Sequence, residues 1–297
     1  MRRDQRSVRL LLVLVLVPVL IIAGVLATAV LGHGGSRHRA QPAERAPQSP
    51  SSPGGAVRDV ERLDVGSGAR GAAVLRPPGS AGEPGPVVIF VHGWAAIDPD
   101  RYGAWIEHLV RGGATVIFPT YQTRPARDTI TPLVNVLTGV RAALAHVSVA
   151  PGRLVVAGHS VGGALAADYA AVAGSQQLPV PAAVFSVYPG RRLRHLTTHI
   201  PEVDPAAIAP GTRVLALAGE RDSAVGVSAA RRIADGAVRA DAELRLVRDD
   251  AVDDHSAPRR VDAAAQRTFW EPLDELIGAT APDAPIAPLV PGGELAR

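Results

Sequence analysis

Short apolar runs alternate along most of the chain with stretches in which apolar residues recur every three or four positions. The runs are rich in Val, Ile and Leu, which is typical of strands that are buried on both faces of a sheet. They predict strands at residues 87–91, 114–119, 153–157, 181–187, 213–219 and 243–247. The spaced apolar residues predict helices at residues 102–111, 131–146, 162–173, 228–237 and 258–277. This alternation indicates an α/β fold with a mainly parallel sheet and helices on both faces.

The ends of the chain differ from this central region. Residues 57–65 alternate weakly and, with residues 71–76, predict a hairpin at the edge of the sheet. Residues 32–56 are rich in Pro, Gly, Ser, Gln and Arg, which predicts a disordered linker. The Ala- and Pro-rich residues 279–297 predict a disordered tail. One α/β domain with a substantial core is therefore expected at residues 57–278.

Residues 1–31 predict a signal anchor or transmembrane segment. Four Arg residues precede an uncharged run at residues 10–31, and this run is long enough to cross a bilayer with its positive flank in the cytoplasm. Its length favours an uncleaved anchor in the cell membrane. Ala27-Thr28-Ala29 would also suit signal-peptide cleavage, and the alternative is a secreted protein. Both interpretations place the domain outside the cytoplasm.

The composition excludes several kinds of chemistry. The 297 residues contain no Cys, which rules out disulfides, thiolate catalysis and Cys-based metal sites. The chain also contains no Lys, so a Ser–Lys dyad, a Lys Schiff base and a P-loop are excluded. The formal net charge is only +3, and there is no basic stripe with interleaved aromatic residues. Nucleic acid is therefore not expected as a partner.

The motif Gly158-His159-Ser160-Val161-Gly162 follows a predicted buried strand and opens a predicted helix. A serine in a sharp strand-to-helix turn needs small neighbours two residues to either side, and both are Gly here. The turn would hold the Ser160 hydroxyl above the edge of the sheet, at a helix N-terminus that stabilises negative charge. Ser160 is therefore the candidate nucleophile.

A serine nucleophile needs a general base, and the base needs a carboxylate that orients it. The loops after the last two predicted strands supply both groups. Residues 213–219 lead into Glu220 and Asp222, and residues 243–247 lead towards His255, which directly precedes a predicted helix. Two other His residues, His195 and His199, lie in an irregular segment and are expected to be solvated loop residues.

These motifs resemble the α/β-hydrolase-fold serine hydrolases, and in particular the esterases and lipases with a short lid. The order Ser, acid, His is that of this family, and His92-Gly93-Trp94 after the third strand extends the resemblance. It implies that Ser160 attacks an acyl carbon, that His255 shuttles the proton and that Asp222 orients His255, with Glu220 as the alternative acid. It also implies an oxyanion hole formed by the main-chain N–H groups of Trp94 and Val161.

Several neighbouring residues have two interpretations. Trp94 and Tyr121 either border the pocket for the acyl group, as substrate-binding residues, or pack in the core. His92 either takes part in catalysis or makes a hydrogen bond that holds the oxyanion loop, and the second role is expected. Four acidic residues precede His255: Asp249, Asp250, Asp253 and Asp254. They could suggest a metal site, but a solvated loop without a metal is expected.

Only residues 188–212 lie between the predicted strand at residues 181–187 and the one at residues 213–219. Larger members of the family carry a helical lid at this place. So short an insertion implies an open, shallow site. The sequence thus predicts a serine hydrolase that cleaves small carboxylic esters through an acyl-enzyme and that requires no cofactor. An acyltransferase with the same triad is the first alternative. A non-catalytic binding protein of the same fold is the second.

Overall fold

The computed structural model describes residues 60–192 and 199–280. The predicted anchor at residues 1–31, the linker at residues 32–56 and the tail beyond residue 280 lie outside the described residues, as does His195. No helix within residues 60–192 and 199–280 is both long and apolar enough to cross a membrane.

An eight-stranded sheet forms the centre of the described region, in the order β1-β2-β4-β3-β5-β6-β7-β8. The strands are β1 (Glu61–Val65), β2 (Ala72–Arg76), β3 (Val87–Val91), β4 (Thr115–Pro119), β5 (Leu154–His159), β6 (Ala183–Val187), β7 (Arg213–Gly219) and β8 (Asp241–Val247). β2 runs antiparallel to both of its neighbours, β1 and β4. All the other pairs, from β4 through β3 to β8, are parallel. The predicted α/β fold with a mainly parallel sheet and an edge hairpin is confirmed.

Helices cover both faces of this sheet. They are α1 (Gly103–Arg111), α2 (Pro132–Leu144), α3 (Val161–Val172), α4 (Ser228–Gly236), α5 (Ala263–Ala265) and α6 (Glu271–Ala279). Most of the buried apolar residues of α2, α3 and α4 belong to one apolar cluster, and those of α1 and α6 belong to a second. The sheet therefore separates two cores.

The central strands contribute alternate residues to the two cores. In β3, Val87, Ile89 and Val91 lie in the first cluster, whereas Val88 and Phe90 lie in the second. Successive side chains of a strand point to opposite faces, so a strand covered on both sides needs an apolar residue at every position. This requirement explains the unbroken apolar runs in the sequence.

The last predicted helix, at residues 258–277, is interrupted in the structure. Pro258 lies in a 3₁₀ turn, Ala257–Arg259, and the helical path begins again only after Asp262. The Asp262 carboxylate accepts a hydrogen bond from the Ala265 N–H at 3.1 Å and so caps this new start. A π-helical turn, Gln266–Trp270, then joins α5 to α6. The continuous helix predicted from the apolar spacing is wrong at its N-terminal end, because the backbone is extended at Arg260 and Asp262 caps a new start.

Candidate active site

Ser160 occupies the sharp turn between β5 and α3. Its backbone has φ 59° and ψ −126°, a conformation that is costly for a residue with a side chain and that persists only when the surroundings enforce it. A Cβ atom on Gly158 would lie 2.2 Å from the Gly162 carbonyl oxygen, and one on Gly162 would lie 2.0 Å from the Val91 carbonyl oxygen. The two glycines of the motif are therefore required by close backbone contact.

The structure brings together the three residues proposed from the sequence as nucleophile, base and acid. Ser160 Oγ lies 2.9 Å from His255 Nε2, and His255 Nδ1 lies 2.7 Å from Asp222 Oδ2. The Asp222 side chain is fully buried, and its other oxygen accepts a hydrogen bond from the Ala224 N–H at 2.8 Å. The three side chains thus form one continuous hydrogen-bonded line from a buried carboxylate to the serine hydroxyl.

Of the two candidate acids, only Asp222 reaches His255. Glu220 lies on the surface, where its carboxylate is 3.6 Å from Arg248 Nε. The loop that carries His255 comes close to β7 at Gly219, where a Cβ atom would lie only 2.2 Å from the Asp253 carbonyl oxygen. This close approach brings the loop of His255 against the end of β7, from which Asp222 follows three residues later.

The acidic residues before His255 are held by specific partners. Asp253 is 3% exposed and pairs with Arg221 at 2.6 Å, and Asp250 pairs with the same guanidinium at 2.9 Å. The expectation of a wholly solvated loop is therefore wrong at Asp253, which is buried in an ion pair. Asp254 accepts a hydrogen bond from the Ser256 N–H at 2.8 Å. Within the described part of the chain, no three His, Asp or Glu side chains come close enough together to hold a metal ion.

The two proposed oxyanion donors belong to segments that flank the nucleophile. Val161 is the first residue of α3, and first-turn N–H groups have no carbonyl partner within their own helix. Trp94 follows Gly93, at which a Cβ atom would lie 3.3 Å from Ser160 Cβ. The loop that carries Trp94 therefore lies directly beside Ser160, and the Trp94 side chain is partly exposed there.

Tyr121 packs in the core and does not border a pocket. Its side chain is 1% exposed, its ring stacks on His92 with the centroids 4.1 Å apart, and its hydroxyl donates to the His92 carbonyl oxygen at 2.8 Å. The substrate-binding interpretation of Tyr121 is therefore wrong, because no face of the ring is left for a ligand. Trp94 remains the candidate for contact with a substrate.

His92 is a buried residue that holds the loop after β3. Its Nδ1 lies 2.6 Å from the Gly93 carbonyl oxygen and its Nε2 lies 2.7 Å from the Thr120 carbonyl oxygen. The ring thus joins the loop to the end of β4, the arrangement expected of a structural residue. Burial lowers the pKa of His92 from its ordinary 6.5 to about 4, although the hydrogen bonds to the two carbonyl oxygens act in the opposite direction.

The depressed pKa of His92 makes the fold sensitive to acid. Between pH 6.5 and 4 the unfolded chain binds a proton at this residue that the folded chain does not, so stability falls as the pH falls. We expect His92 to contribute a loss of about 2 kcal/mol in the free energy of unfolding between pH 7 and pH 5. Urea denaturation at both pH values measures this loss. The loss should shrink in His92→Gln but not in His146→Gln, which alters an exposed histidine; equal losses in all three proteins would contradict it.

Gln122 also holds the loop of Trp94, although no motif in the sequence singled it out. Its Oε1 accepts a hydrogen bond from the Ala95 N–H at 2.9 Å, and Ala95 has a positive φ of 60°. Its position could have indicated this role, because Gln122 is a polar residue shortly after the carboxyl end of a buried strand, as are Ser160 and Asp222. The loop is therefore held by the side chain of Gln122, from the segment after β4, as well as by the side chain of His92 within the loop.

Residues 88–221 match a family model described as an alpha/beta hydrolase fold. This match, together with the sheet order and the turn at Ser160, shows that the chain has the α/β-hydrolase fold and confirms the resemblance drawn from its motifs.

Solved structures of esterases are similar to this chain over most of their length. An esterase from Rhizomucor miehei has a TM-score of 0.56 and 18% identity, with 75% of this chain and 83% of that chain covered. Carboxyl esterase 2 from Tuber melanosporum has a TM-score of 0.53 and 20% identity, covering 78% and 89%. A thermostable esterase from Pseudomonas putida has a TM-score of 0.53 and 19% identity, covering 75% and 84%. No curated protein sequence matches the chain.

Proposed function

We propose that this protein is a serine hydrolase that cleaves carboxylic esters of small molecules. The observation that carries the proposal is the hydrogen-bonded line from Asp222 through His255 to Ser160, with distances of 2.7 and 2.9 Å. A hydroxyl is activated when a base lies within hydrogen-bond reach of it and a third group orients that base. The esterases among the similar solved structures support the choice of an ester as the substrate.

The first half of the reaction forms an acyl-enzyme. Ser160 Oγ attacks the acyl carbon while His255 Nε2 takes the hydroxyl proton, and the carbonyl oxygen becomes an oxyanion. The N–H groups of Val161 and Trp94 are the proposed donors to that oxyanion, each worth about 3 kcal/mol of barrier. His255 then gives the proton to the leaving alkoxide, so that an alcohol departs and Ser160 carries the acyl group.

The second half reverses these roles with water as the nucleophile. His255 takes a proton from water, the hydroxide attacks the acyl carbon, and the proton returns to Ser160 Oγ as the carboxylic acid leaves. Asp222 accepts the Nδ1–H of His255 throughout and so fixes the tautomer in which Nε2 is the base. No cofactor enters either half.

Hydrolysis is favoured over acyl transfer by the exposure of the base. The His255 side chain is 26% exposed, so the site is open to water. An acyltransferase needs a site that keeps water from the acyl-enzyme.

We also propose that residues 1–31 hold this activity outside the cytoplasm as a membrane anchor. Fractionation of the full-length protein would test this proposal.

Labelling with a fluorophosphonate probe tests the proposed nucleophile without knowledge of the natural substrate. We expect rapid labelling of the wild type, because the probe reacts with an activated serine. Labelling should be lost in Ser160→Ala and greatly slowed in His255→Ala. A folded wild type that does not react would contradict the proposal and favour a binding protein of the same fold.

The two candidate acids supply a matched control in the same assay. Asp222→Asn should slow labelling by about 10⁴-fold, because an amide at this position favours the wrong tautomer of the base. Glu220→Gln removes the same charge two residues away and should label at the wild-type rate. Equal rates for the two variants would remove Asp222 from the proposed triad.

A further inference from the structure

Three hydrogen bonds, two of them buried, connect the loop of Trp94 to the loop of His255. The Gly93 N–H donates to Tyr102 Oη at 3.0 Å, Tyr102 Oη lies 2.9 Å from His159 Nδ1, and His159 Nε2 lies 3.0 Å from the main-chain oxygen of His255. Tyr102 and His159 are each 3% exposed. The proposed triad does not use either side chain.

The donors and acceptors along this connection have only one consistent arrangement. The His255 carbonyl can only accept, so His159 Nε2 must carry a hydrogen. Burial, with a smaller effect of the nearby His255, holds the pKa of His159 well below its ordinary value, so the ring is neutral and its Nδ1 is an acceptor. Tyr102 Oη–H therefore donates to Nδ1, and the oxygen of the same hydroxyl accepts the Gly93 N–H.

The position of His159 gives this arrangement a consequence for the chemistry. Its ring centroid lies 4.9 Å from that of His255, the residue that becomes positively charged during the proposed reaction. A second charge at that distance would oppose protonation of His255. Burial keeps His159 neutral beside the base, and its two hydrogen-bond partners fix which nitrogen carries the hydrogen.

The same bonds fix the positions of the segments around Ser160. His159 directly precedes the nucleophile, Gly93 directly precedes Trp94, and the third bond ends on the main chain of His255 itself. Space between these groups is minimal, because a Cβ atom on Gly93 would lie 3.2 Å from Tyr102 Oη and 3.4 Å from His159 Nδ1. A change at Tyr102 Oη therefore reaches both the oxyanion loop and the loop of the base.

We propose that Tyr102 and His159 are positioning residues that hold the loop of Trp94 and the loop of His255 at a fixed separation across Ser160. The proposal rests on the proposed esterase function, and it assigns neither residue any contact with the substrate. Misplacement of a base or an oxyanion donor weakens binding of the transition state more than binding of the substrate. Loss of the connection should therefore lower kcat and leave KM nearly unchanged.

Steady-state hydrolysis of a p-nitrophenyl ester by Tyr102→Phe tests the proposal. This substitution removes only the hydroxyl, and we expect kcat to fall about 10- to 100-fold while KM changes by less than about twofold. Tyr169→Phe is the matched control, because Tyr169 is also buried and its hydroxyl donates to the Pro179 carbonyl oxygen at 3.2 Å. Its kcat should equal that of the wild type.

Unfolding experiments and a double variant separate positioning from a purely structural role. Tyr102→Phe should lower the midpoint of thermal unfolding more than Tyr169→Phe, because it removes two hydrogen bonds instead of one, but both proteins should be folded at the assay temperature and only Tyr102→Phe should lose activity. Tyr102→Phe combined with His159→Gln should be no slower than the slower single variant, because the two residues act as one unit. If the wild type is active, either of two results would overturn this proposal alone. One is a kcat of Tyr102→Phe equal to that of the wild type. The other is a double variant whose loss in kcat is the product of the losses of the two single variants. A wild type that neither hydrolyses esters nor reacts with the fluorophosphonate would overturn the proposed function, and this proposal with it.

Discussion

Replacement of Ser160 by Ala is expected to lower kcat for ester hydrolysis by about 10⁵-fold or more, which corresponds to about 7 kcal/mol of barrier. The variant lacks the atom that would form the proposed acyl-enzyme, while the proposed oxyanion donors remain. The folded structure should tolerate the change, because the Ser160 side chain makes its hydrogen bond only to His255 Nε2 among the contacts described around it. Steady-state kinetics on a p-nitrophenyl ester, together with thermal unfolding, measures both effects.

Two further variants determine whether such a loss is due to the triad. Ser186→Ala removes a buried hydroxyl from the neighbouring strand β6, where Oγ donates to the Gly163 carbonyl oxygen at 2.9 Å. It should cost about 1 kcal/mol of stability and leave kcat near the wild-type value. The double variant Ser160→Ala/His255→Ala should be no slower than Ser160→Ala alone, because the residues act as a unit. Turnover in Ser160→Ala within tenfold of the wild type would remove Ser160 as the nucleophile.

Much of the fold was predictable because the central strands are covered on both faces. This burial leaves unbroken apolar runs such as residues 87–91 in the sequence, and these runs are visible without knowledge of any contact. The candidate triad was predictable for a related reason. Parallel strands end at the same edge of a sheet, so Ser160, Asp222 and His255, each in the segment that follows a strand, could be expected to meet.

Features that depend on contacts between distant segments could not be predicted in this way. Tyr121 follows a strand end just as Asp222 does, but stacking on His92 buries it. Asp253 belongs to an acidic run that predicts solvation, yet the close approach of its main chain to Gly219 places it beside Arg221. The connection through Tyr102 and His159 joins residues from three separate segments. The spacing of apolar and polar residues within one segment does not predict its contacts with another segment.

Gly162→Ala, a substitution in the turn at Ser160, is expected to lower the free energy of unfolding by about 4 kcal/mol or more. A Cβ atom at this position would lie 2.0 Å from the Val91 carbonyl oxygen and 2.4 Å from that of His92. Both are main-chain atoms, so no rotation of a side chain can relieve the overlap. The helix α3 must move away from β3, which opens one of the two cores, and losses of this size come from such disruption.

Gly103→Ala is the matched control, because Gly103 also lies in the first turn of a helix, α1, but a Cβ atom there has no neighbour within 4 Å. Alanine in that helical position should stabilise the protein by about 0.5–1 kcal/mol. The midpoint of thermal unfolding should therefore fall by about 10 °C in Gly162→Ala and rise slightly in Gly103→Ala.

The overlap at Gly162 involves the end of β3 and the loop of Trp94. The Gly162→Ala protein that remains folded should therefore also react slowly with a fluorophosphonate. A Gly162→Ala protein with wild-type stability and reactivity would mean that the turn does not need its glycine, and the geometric basis for an activated Ser160 would be lost.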